Sequence, residues 1–236
     1  MSDIFITGNS NGLGLGLTRL FLDKGDNVFS ASRSVSPTQH KNLQHSVVDL
    51  SDLSRIETTL KSLLPKQLDL VILNAGVLGK IEDLADTTMD QTKTIMDTNV
   101  WSNKVIVDWL IHQQIKVAQI IFISSGASVN GNRGWGIYSI SKASINMMAK
   151  LYAAEMPETH ITAYAPGIIQ TKMQDYLCND VDTDKFKSVS FLTQAYQTKD
   201  MPDIDSAARN IAESFERCKD FESGSFLDIR DLSESR

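Results

Sequence analysis

Two side chains with a four-residue spacing, Tyr138 and Lys142, are the strongest indication of chemistry in this sequence. On a helix this spacing places both on one face. A phenol can exchange a proton with an oxygen atom of a small molecule, and an ammonium group beside it favours the phenolate. The ordinary pKa of a tyrosine is about 10, so we expect Lys142 to lower the pKa of Tyr138 toward neutrality. Ser125, at the end of an apolar run, offers a hydroxyl to the same oxygen.

A glycine-rich turn at residues 7–14 has the composition of a phosphate-binding loop. It follows the apolar run at residues 4–6 and precedes leucines with helical spacing. Gly8 would permit a tight turn, Gly12 a close approach of the backbone to phosphates, and Gly14 close packing of helix on strand. The free N–H groups at the start of the helix would bind a pyrophosphate. An ordinary glycine turn is the alternative, but the order strand, turn and helix favours a dinucleotide site.

The end of the predicted second strand indicates which dinucleotide binds. An acidic residue there would accept hydrogen bonds from the ribose hydroxyls and disfavour a 2′-phosphate. This chain has Ser32, Arg33 and Ser34 instead. A guanidinium with hydroxyls beside it suits a phosphate through charge-assisted hydrogen bonds. We therefore predict NADP(H) rather than NAD(H), the alternative being that Arg33 is only a solvated surface charge.

These groups must be carried by a fold that brings the ends of several strands together. Short apolar runs alternate with helix-length segments, which is typical of βαβ units and a doubly wound sheet. The runs at residues 69–74 and 118–124 are apolar without alternation, as expected of strands covered on both faces. We predict strands at residues 3–7, 27–32, 46–49, 69–74, 118–124, 160–165 and 225–229, and helices from residue 13, at 52–64, at 90–114, at 138–155 and at 205–219.

The sequence thus predicts an α/β Rossmann fold, a single domain over residues 1–236 with a mostly parallel seven-stranded sheet and helices on both faces. Residues 168–203 form its least regular stretch, which is too long for an ordinary connection. We call this stretch the lobe segment and expect it to cover the substrate.

Composition and charge argue against several other classes of protein. With 42% hydrophobic and 22% charged residues, the chain has the make-up of a soluble globular protein. A net charge of −6 argues against a non-specific nucleic-acid binder. Neither a leader peptide nor a bilayer-spanning apolar run is visible, so we expect a cytoplasmic protein without a membrane partner. Cys178 and Cys218 lack metal-ligand spacing, and we expect no metal and no disulfide.

Taken together, the motifs resemble those of the short-chain dehydrogenase/reductase family, in the family's order and near its spacings. The resemblance covers almost the whole chain, and residues 224–228 are similar to the last strand of small carbonyl-reductase-like members related to bacterial C-factor proteins. It implies an NAD(P)-dependent enzyme that interconverts a carbonyl and an alcohol by hydride transfer. The matching segments are residues 7–14, 74–76, 124–125, 138–142 and 166–167, with Asn99 and Thr171.

The resemblance also implies site residues. It assigns a catalytic tetrad of Asn99, Ser125, Tyr138 and Lys142, in which Asn99 anchors a water that links Lys142 to solvent. Asn11 stands where many NADP-dependent relatives carry a basic residue, which leaves Arg33 to bind the phosphate. The expected cofactor-binding residues, besides Tyr138 and Lys142, are Gly8, Asn11, Gly12, Leu13, Gly14, Ser32, Arg33, Asp49, Leu50, Asn74, Ala75, Gly76, Pro166, Gly167, Ile168 and Thr171.

Each of these assignments has a structural alternative. Asn99 could be a polar group on a helix face, Asp49 a cap for the next helix, and residues 74–76 merely a turn. An apolar group could equally form a substrate wall or belong to the core. That group consists of Trp135, Ile137, Met173, Tyr176 and Leu177.

Two further expectations concern partners and function. The helices at residues 90–114 and 138–155 carry apolar residues on more than one face, and the resemblance implies that they pair across a two-fold axis. We therefore expect a homodimer or homotetramer that acts on a small carbonyl or alcohol. The alternative function is a cofactor-binding regulatory or signalling protein in which catalysis is incidental.

Overall fold

The computed structural model describes residues 1–233 and contains a parallel sheet of seven strands. The order across the sheet is β3-β2-β1-β4-β5-β6-β7, and each neighbouring pair is parallel. The order reverses between β1 and β4, where a doubly wound sheet opens a binding crevice. The strands are β1 (Asp3–Thr7), β2 (Asn27–Ser32), β3 (Leu43–Val47), β4 (Gln67–Leu73), β5 (Lys116–Ile123), β6 (His160–Ala165) and β7 (Phe226–Asp228).

Helices cover both faces of this sheet, because successive apolar residues of the central strands point to opposite sides. Phe5 belongs to a core cluster on one face, whereas Ile4 and Ile6 belong to the cluster on the other. Helices α2, α4 and α5 pack on the first cluster, and α1 and α8 on the second. The helices are α1 (Gly12–Asp23), α2 (Leu53–Leu63), α3 (Met89–Met96), α4 (Ser102–His112), α5 (Gly136–Glu155), α6 (Lys172–Asn179), α7 (Ser190–Ala195), α8 (Ile204–Cys218) and α9 (Ile229–Ser233). The predicted fold class is confirmed.

Apart from shifts of one or two residues at the ends of elements, two of the predicted elements differ from the structure. Strand β3 spans Leu43–Val47 rather than residues 46–49, because it is a partly exposed edge strand whose polar residues make no apolar run. The long helix predicted at residues 90–114 is interrupted by a π-helical turn at Asp97–Trp101, between α3 and α4. Within residues 1–233, no helix is long and apolar enough to cross a membrane.

Candidate active site

A cleft of about 770 Å³ runs along the carboxyl ends of the strands. Of the residues predicted to form the site, all but Gly14 and Asn99 line it. Both exceptions contact residues that line it: Gly14 packs against Gly8, and the Asn99 side chain is hydrogen-bonded to Val77. The predicted residues along the cleft are Gly8, Asn11, Gly12, Leu13, Ser32, Arg33, Asp49, Leu50, Asn74, Ala75, Gly76, Ser125, Tyr138, Lys142, Pro166, Gly167, Ile168 and Thr171.

The glycine turn lies between β1 and α1, and its shape depends on glycine at three positions. Gly8 and Gly12 have φ angles of 75° and 57°, in the left-handed region that other residues rarely adopt. A Cβ atom on Gly14 would lie 2.3 Å from the carbonyl oxygen of Gly8. Side chains are thus kept out of these three positions, and the backbone of the turn comes close to the cleft.

The turn is also held from the neighbouring strand β4. The Asn74 side-chain amide donates hydrogen bonds to the carbonyl oxygens of Thr7 (2.9 Å) and Gly8 (3.2 Å). The Asn74 backbone N–H donates to the Thr7 hydroxyl oxygen at 3.0 Å. Asn74 therefore does more than make a turn, because it joins two strand ends below the cleft.

This arrangement fits the pyrophosphate of a dinucleotide. Across the cleft from Gly12, the Thr171 side chain lies 3.5 Å from where a Cβ atom on Gly12 would be, so any side chain there would narrow the passage. Asn11, the N-cap of α1, makes no capping hydrogen bond with its side chain to the described residues. The N–H groups of the first turn are therefore available to an anion, as in other helix N-termini that bind phosphate.

Two side chains of opposite charge, Arg33 and Asp49, line the end of the cleft beside β2. Arg33 is exposed, and its guanidinium contributes to holding the pKa of Asp49 below the ordinary value. The larger causes are the N–H and hydroxyl of Ser51, which donate to Asp49 Oδ1 at 3.0 and 2.8 Å. Asp49 is not the cap of α2, whose N-cap is Asp52; its carboxylate stabilises the turn before that helix, and the residue lines the cleft.

Tyr138 and Lys142 lie on one face of α5, at the other end of the cleft. The Lys142 ammonium is 5.6 Å from the centre of the Tyr138 ring and donates a hydrogen bond to the Ile123 carbonyl oxygen at 2.7 Å. Burial lowers the pKa of Lys142 to about 8. Ser125 begins the turn after β5, and its hydroxyl oxygen accepts the Ala127 N–H at 3.1 Å.

The pKa of Tyr138 differs from the sequence-based expectation. Burial raises it, because the phenolate would lose its hydration, and a hydrogen bond with the Ser125 hydroxyl only partly opposes this effect. Lys142 was expected to lower this pKa, but its ammonium is directed to a main-chain carbonyl. Tyr138 is therefore a neutral phenol near pH 7, the form that can donate a proton.

Asn99 lies in the π-helical turn and is fully buried, close to Lys142. Its side chain accepts the Val77 N–H at 2.8 Å and donates to the Val77 carbonyl at 2.9 Å. It also donates to the Ser141 hydroxyl oxygen at 3.0 Å, and Ser141 donates to the Tyr138 carbonyl at 2.7 Å. The main-chain carbonyl of Asn99 accepts the Asn103 side-chain amide at 2.8 Å. These contacts join three parts of the chain into one unit: the π-helical turn, the segment that follows β4, and α5.

The lobe segment closes the end of the cleft that Ser125, Tyr138 and Lys142 line. Its contacts with the rest of the chain are made by side chains from distant positions. The Trp135 indole N–H donates to the Ser188 hydroxyl at 2.9 Å, and the Ile81 N–H donates to the Tyr176 hydroxyl at 3.2 Å. An apolar cluster joins the lobe segment to Tyr138; it comprises Leu78, Ile81, Tyr138, Leu177, Phe186, Val189 and Leu192.

A charged group adds to these contacts on the surface. Arg133 donates two hydrogen bonds to the Asp83 carboxylate, at 2.6 and 2.7 Å, and Lys185 of the lobe segment lies 3.3 Å from it. These contacts, chiefly those from Arg133, lower the pKa of Asp83 to about 2.

Of the five apolar residues that could form a substrate wall or belong to the core, three line the cleft and two do not. Trp135, Met173 and Leu177 line the cleft and also pack in the apolar cluster. Ile137 and Tyr176 do not line the cleft.

Several residues of the cleft were missed by the sequence reasoning. Asp228 ends β7, so the rule that ligands bind at the carboxyl ends of strands could have found it. Arg230, which binds the Asp228 carboxylate at 2.6 and 2.8 Å, carried no such signal. Among residues 1–233, no group of three or more His, Cys, Asp or Glu side chains could hold a metal ion.

Comparison with known proteins gives a consistent result. The family model described as short chain dehydrogenase matches residues 2–182. An uncharacterized oxidoreductase of Schizosaccharomyces pombe is 35% identical over 187 residues, which are 75% of this chain and 74% of that protein. The benzil reductase ((S)-benzoin forming) of Saccharomyces cerevisiae is 29% identical over 232 residues, or 89% of this chain and 88% of that protein. A crystal structure of a short-chain dehydrogenase/reductase from Saccharomyces cerevisiae superposes with a TM-score of 0.86 at 23% identity, covering 100% of this chain and 98% of that one.

Proposed function

Since the chain belongs to the short-chain dehydrogenase/reductase family of oxidoreductases, we propose that it interconverts a carbonyl and an alcohol with NADP(H), using Tyr138 as the acid and base. The observation that carries the proposal is one continuous cleft. The glycine turn lines one part of it, and Ser125, Tyr138 and Lys142 line another.

Tyr138 is the proton donor in the reducing direction. When bound, the nicotinamide cofactor supplies the hydride. Tyr138, a neutral phenol, donates its proton to the carbonyl oxygen, while the Ser125 hydroxyl donates a hydrogen bond to the same oxygen as negative charge develops there. Lys142, with a pKa of about 8, is mostly cationic near pH 7, so its ammonium, held by the Ile123 carbonyl, supplies a positive charge 5.6 Å from the centre of the ring that becomes the phenolate.

Asn99 has a positioning role in this proposal. Its side chain is occupied by Val77 and Ser141, and a Cβ atom on Gly76 would lie 3.4 Å from both Asn99 Oδ1 and Lys142 Nζ. Glycine at position 76 therefore lets the two groups approach the same point. The water that the family resemblance assigns to Asn99 remains a prediction.

Arg33 and Ser34 support the choice of NADP(H). Both are exposed and line the cleft beside β2, where the ribose of the adenosine would lie. An arginine fork with a hydroxyl beside it can bind a 2′-phosphate by charge-assisted hydrogen bonds. Asp49 is nearby but already accepts two hydrogen bonds from Ser51.

The catalytic end favours a carbonyl compound with apolar or aromatic substituents. Trp135, Leu177 and Leu192 line it, and Phe191 lies exposed at its margin. The name of the yeast benzil reductase points to an aromatic diketone for that relative. Aromatic ketones and diketones, including benzil, are therefore the first substrates to examine.

The test is a steady-state assay of the purified protein with NADPH or NADH and a panel of aromatic and aliphatic carbonyl compounds. We expect turnover of at least one aromatic carbonyl, with a higher kcat/KM for NADPH than for NADH. Tight binding of NADPH without turnover of any carbonyl or alcohol would favour the regulatory alternative.

We also propose a homodimer or homotetramer. The apolar residues of α4 and α5 that suggested pairing, such as Ile106 and Ile145, are buried in the core. A different face of α5 remains exposed and apolar, with Ile140, Met147 and Leu151 at helical spacing. Light scattering at micromolar protein should therefore give a mass of two or four chains, and a 26.2 kDa species alone would refute this.

A further inference from the structure

The segment that carries Arg33 and Ser34 is attached to the sheet at one carbonyl oxygen. The carbonyl of Ser34 accepts the Ser32 hydroxyl at 2.8 Å and contacts Nε2 of His45 at 3.2 Å. A carbonyl oxygen only accepts hydrogen bonds, so Nε2 of His45 carries the proton. Two donors from two neighbouring strands, β2 and β3, thus hold the peptide group that follows Ser34.

The imidazole ring of His45 is itself held in place. Ser30 is its register partner on β2, and the Ser30 hydroxyl lies 2.9 Å from Nδ1. Burial lowers the pKa of His45, so the ring is neutral near pH 7 and Nδ1 accepts the hydroxyl proton of Ser30. Nδ1 therefore fixes the orientation of the ring, and Nε2 fixes the Ser34 carbonyl.

This attachment leaves the two side chains free for a ligand. Arg33 and Ser34 are exposed and line the cleft, whereas Ser30 and Ser32 are buried beneath them. A binding segment that is already ordered loses less conformational freedom when its ligand binds.

From this geometry we infer that His45 is a positioning residue for cofactor selection, which orients the Arg33–Ser34 segment toward the 2′-phosphate of NADP(H). The inference rests on the proposed NADP(H) preference. His45 touches neither cofactor nor substrate in this account, and its effect is confined to ligands that carry the 2′-phosphate.

A pair of amide substitutions tests it, because glutamine and asparagine differ by one methylene group. In His45→Gln the amide nitrogen reaches about as far as Nε2 and can still donate to the Ser34 carbonyl. In His45→Asn it reaches only about as far as Nδ1, so the contact with Ser34 is lost and the one with Ser30 is kept. His40→Asn, at an exposed histidine in the connection before β3, is the matched control.

The readout is the equilibrium Kd from calorimetry for NADPH, NADH, adenosine 2′,5′-bisphosphate and AMP. We expect His45→Asn to weaken NADPH and the bisphosphate about fivefold, the size of one net hydrogen bond. NADH and AMP should stay within about twofold, as should all four ligands in His45→Gln and His40→Asn. Should His45→Asn fail to fold, His45→Phe keeps a flat ring but lacks both nitrogens, and the same selective loss is expected.

Two results would overturn the inference while the NADP(H) proposal stands. One is unchanged NADPH affinity in His45→Asn, and the other is an equal loss for NADPH and NADH, which indicates general damage. Failure of the proposed function looks different, because the unmodified protein would then bind NADH as tightly as NADPH, and AMP as tightly as the bisphosphate.

Discussion

The glycine turn and the lobe segment face each other across the cleft, but they are held by different kinds of contact. Main-chain atoms form most contacts of the turn, as where Asn74 binds the Thr7 and Gly8 carbonyls. The lobe segment is held by side-chain contacts, such as those between Trp135 and Ser188 and between Asp83 and Lys185. These two contacts join residues that are 53 and 102 positions apart in the sequence. The glycines of a short motif therefore set the conformation of the turn, and Asn74 holds it from 66 and 67 positions away. The lobe segment depends on pairs that no local motif contains.

Tyr138 packs in the apolar cluster that includes the lobe segment, and its removal should have the largest effect. Tyr138→Phe keeps the ring but lacks the transferable proton, so we expect kcat to fall by about 10²–10⁴-fold with NADPH affinity largely retained. Tyr176→Phe is the matched control, since the Tyr176 hydroxyl accepts the Ile81 N–H and does not line the cleft. Turnover of Tyr138→Phe near that of the control would contradict the proposed chemistry.

Cofactor choice depends on Ser32 and Arg33, two residues that the local sequence pattern predicted. Ser32→Asp combined with Arg33→Leu removes the positive charge, supplies an acceptor for the ribose and places a negative charge against the phosphate. We expect the double variant to lose roughly 2–4 kcal/mol of its preference for NADPH. The ratio of kcat/KM for NADPH and NADH in both proteins measures the change. A preference of the unmodified protein for NADH would mean that Arg33 is only a surface charge.

The geometry of the turn itself can be tested with two glycines. A Cβ atom on Gly14 would lie 2.3 Å from the Gly8 carbonyl, whereas no described atom lies within 4 Å of one on Gly131. We expect Gly14→Ala to reduce the free energy of unfolding by about 1–3 kcal/mol, typical of overpacking, and to weaken NADPH binding. Gly131→Ala should change neither. Denaturant unfolding and calorimetry measure the two quantities, and equal stability of the variants would count against the close contact.

The smallest effect is expected at the lobe segment. Trp135→Phe keeps an aromatic ring in the cleft but loses the hydrogen bond to Ser188, worth about 0.5–1.5 kcal/mol. We expect the KM for the carbonyl substrate to rise a few-fold while the Kd for NADPH is unchanged. Ser188→Ala removes the same hydrogen bond from the other side and should reproduce the result. A change in NADPH affinity would instead show that the lobe segment and the cofactor-binding part of the cleft are energetically coupled.

The sequence alone was enough to predict the fold and the two motifs that line the cleft. Strand, glycine turn and helix follow each other within residues 3–23, and the four-residue spacing of Tyr138 and Lys142 determines their common face once the helix forms. The apolar runs of β4 and β5, which show no alternation with polar residues, predicted a sheet covered on both faces. All of these features depend on backbone preference and periodicity, which are local properties of a chain.

Other features of the site depend on residues that the fold brings together from distant positions. Asn99 is held by Val77 and Ser141, and no periodicity in the sequence relates these three. Likewise, His45 reaches Ser34 only because β3 pairs with β2. The direction of the Tyr138 pKa depends on burial, which is a property of everything packed around the ring. Local sequence determines backbone conformation, but burial and long-range hydrogen bonds exist only after the chain has folded, so the electrostatics of the site followed from the tertiary structure.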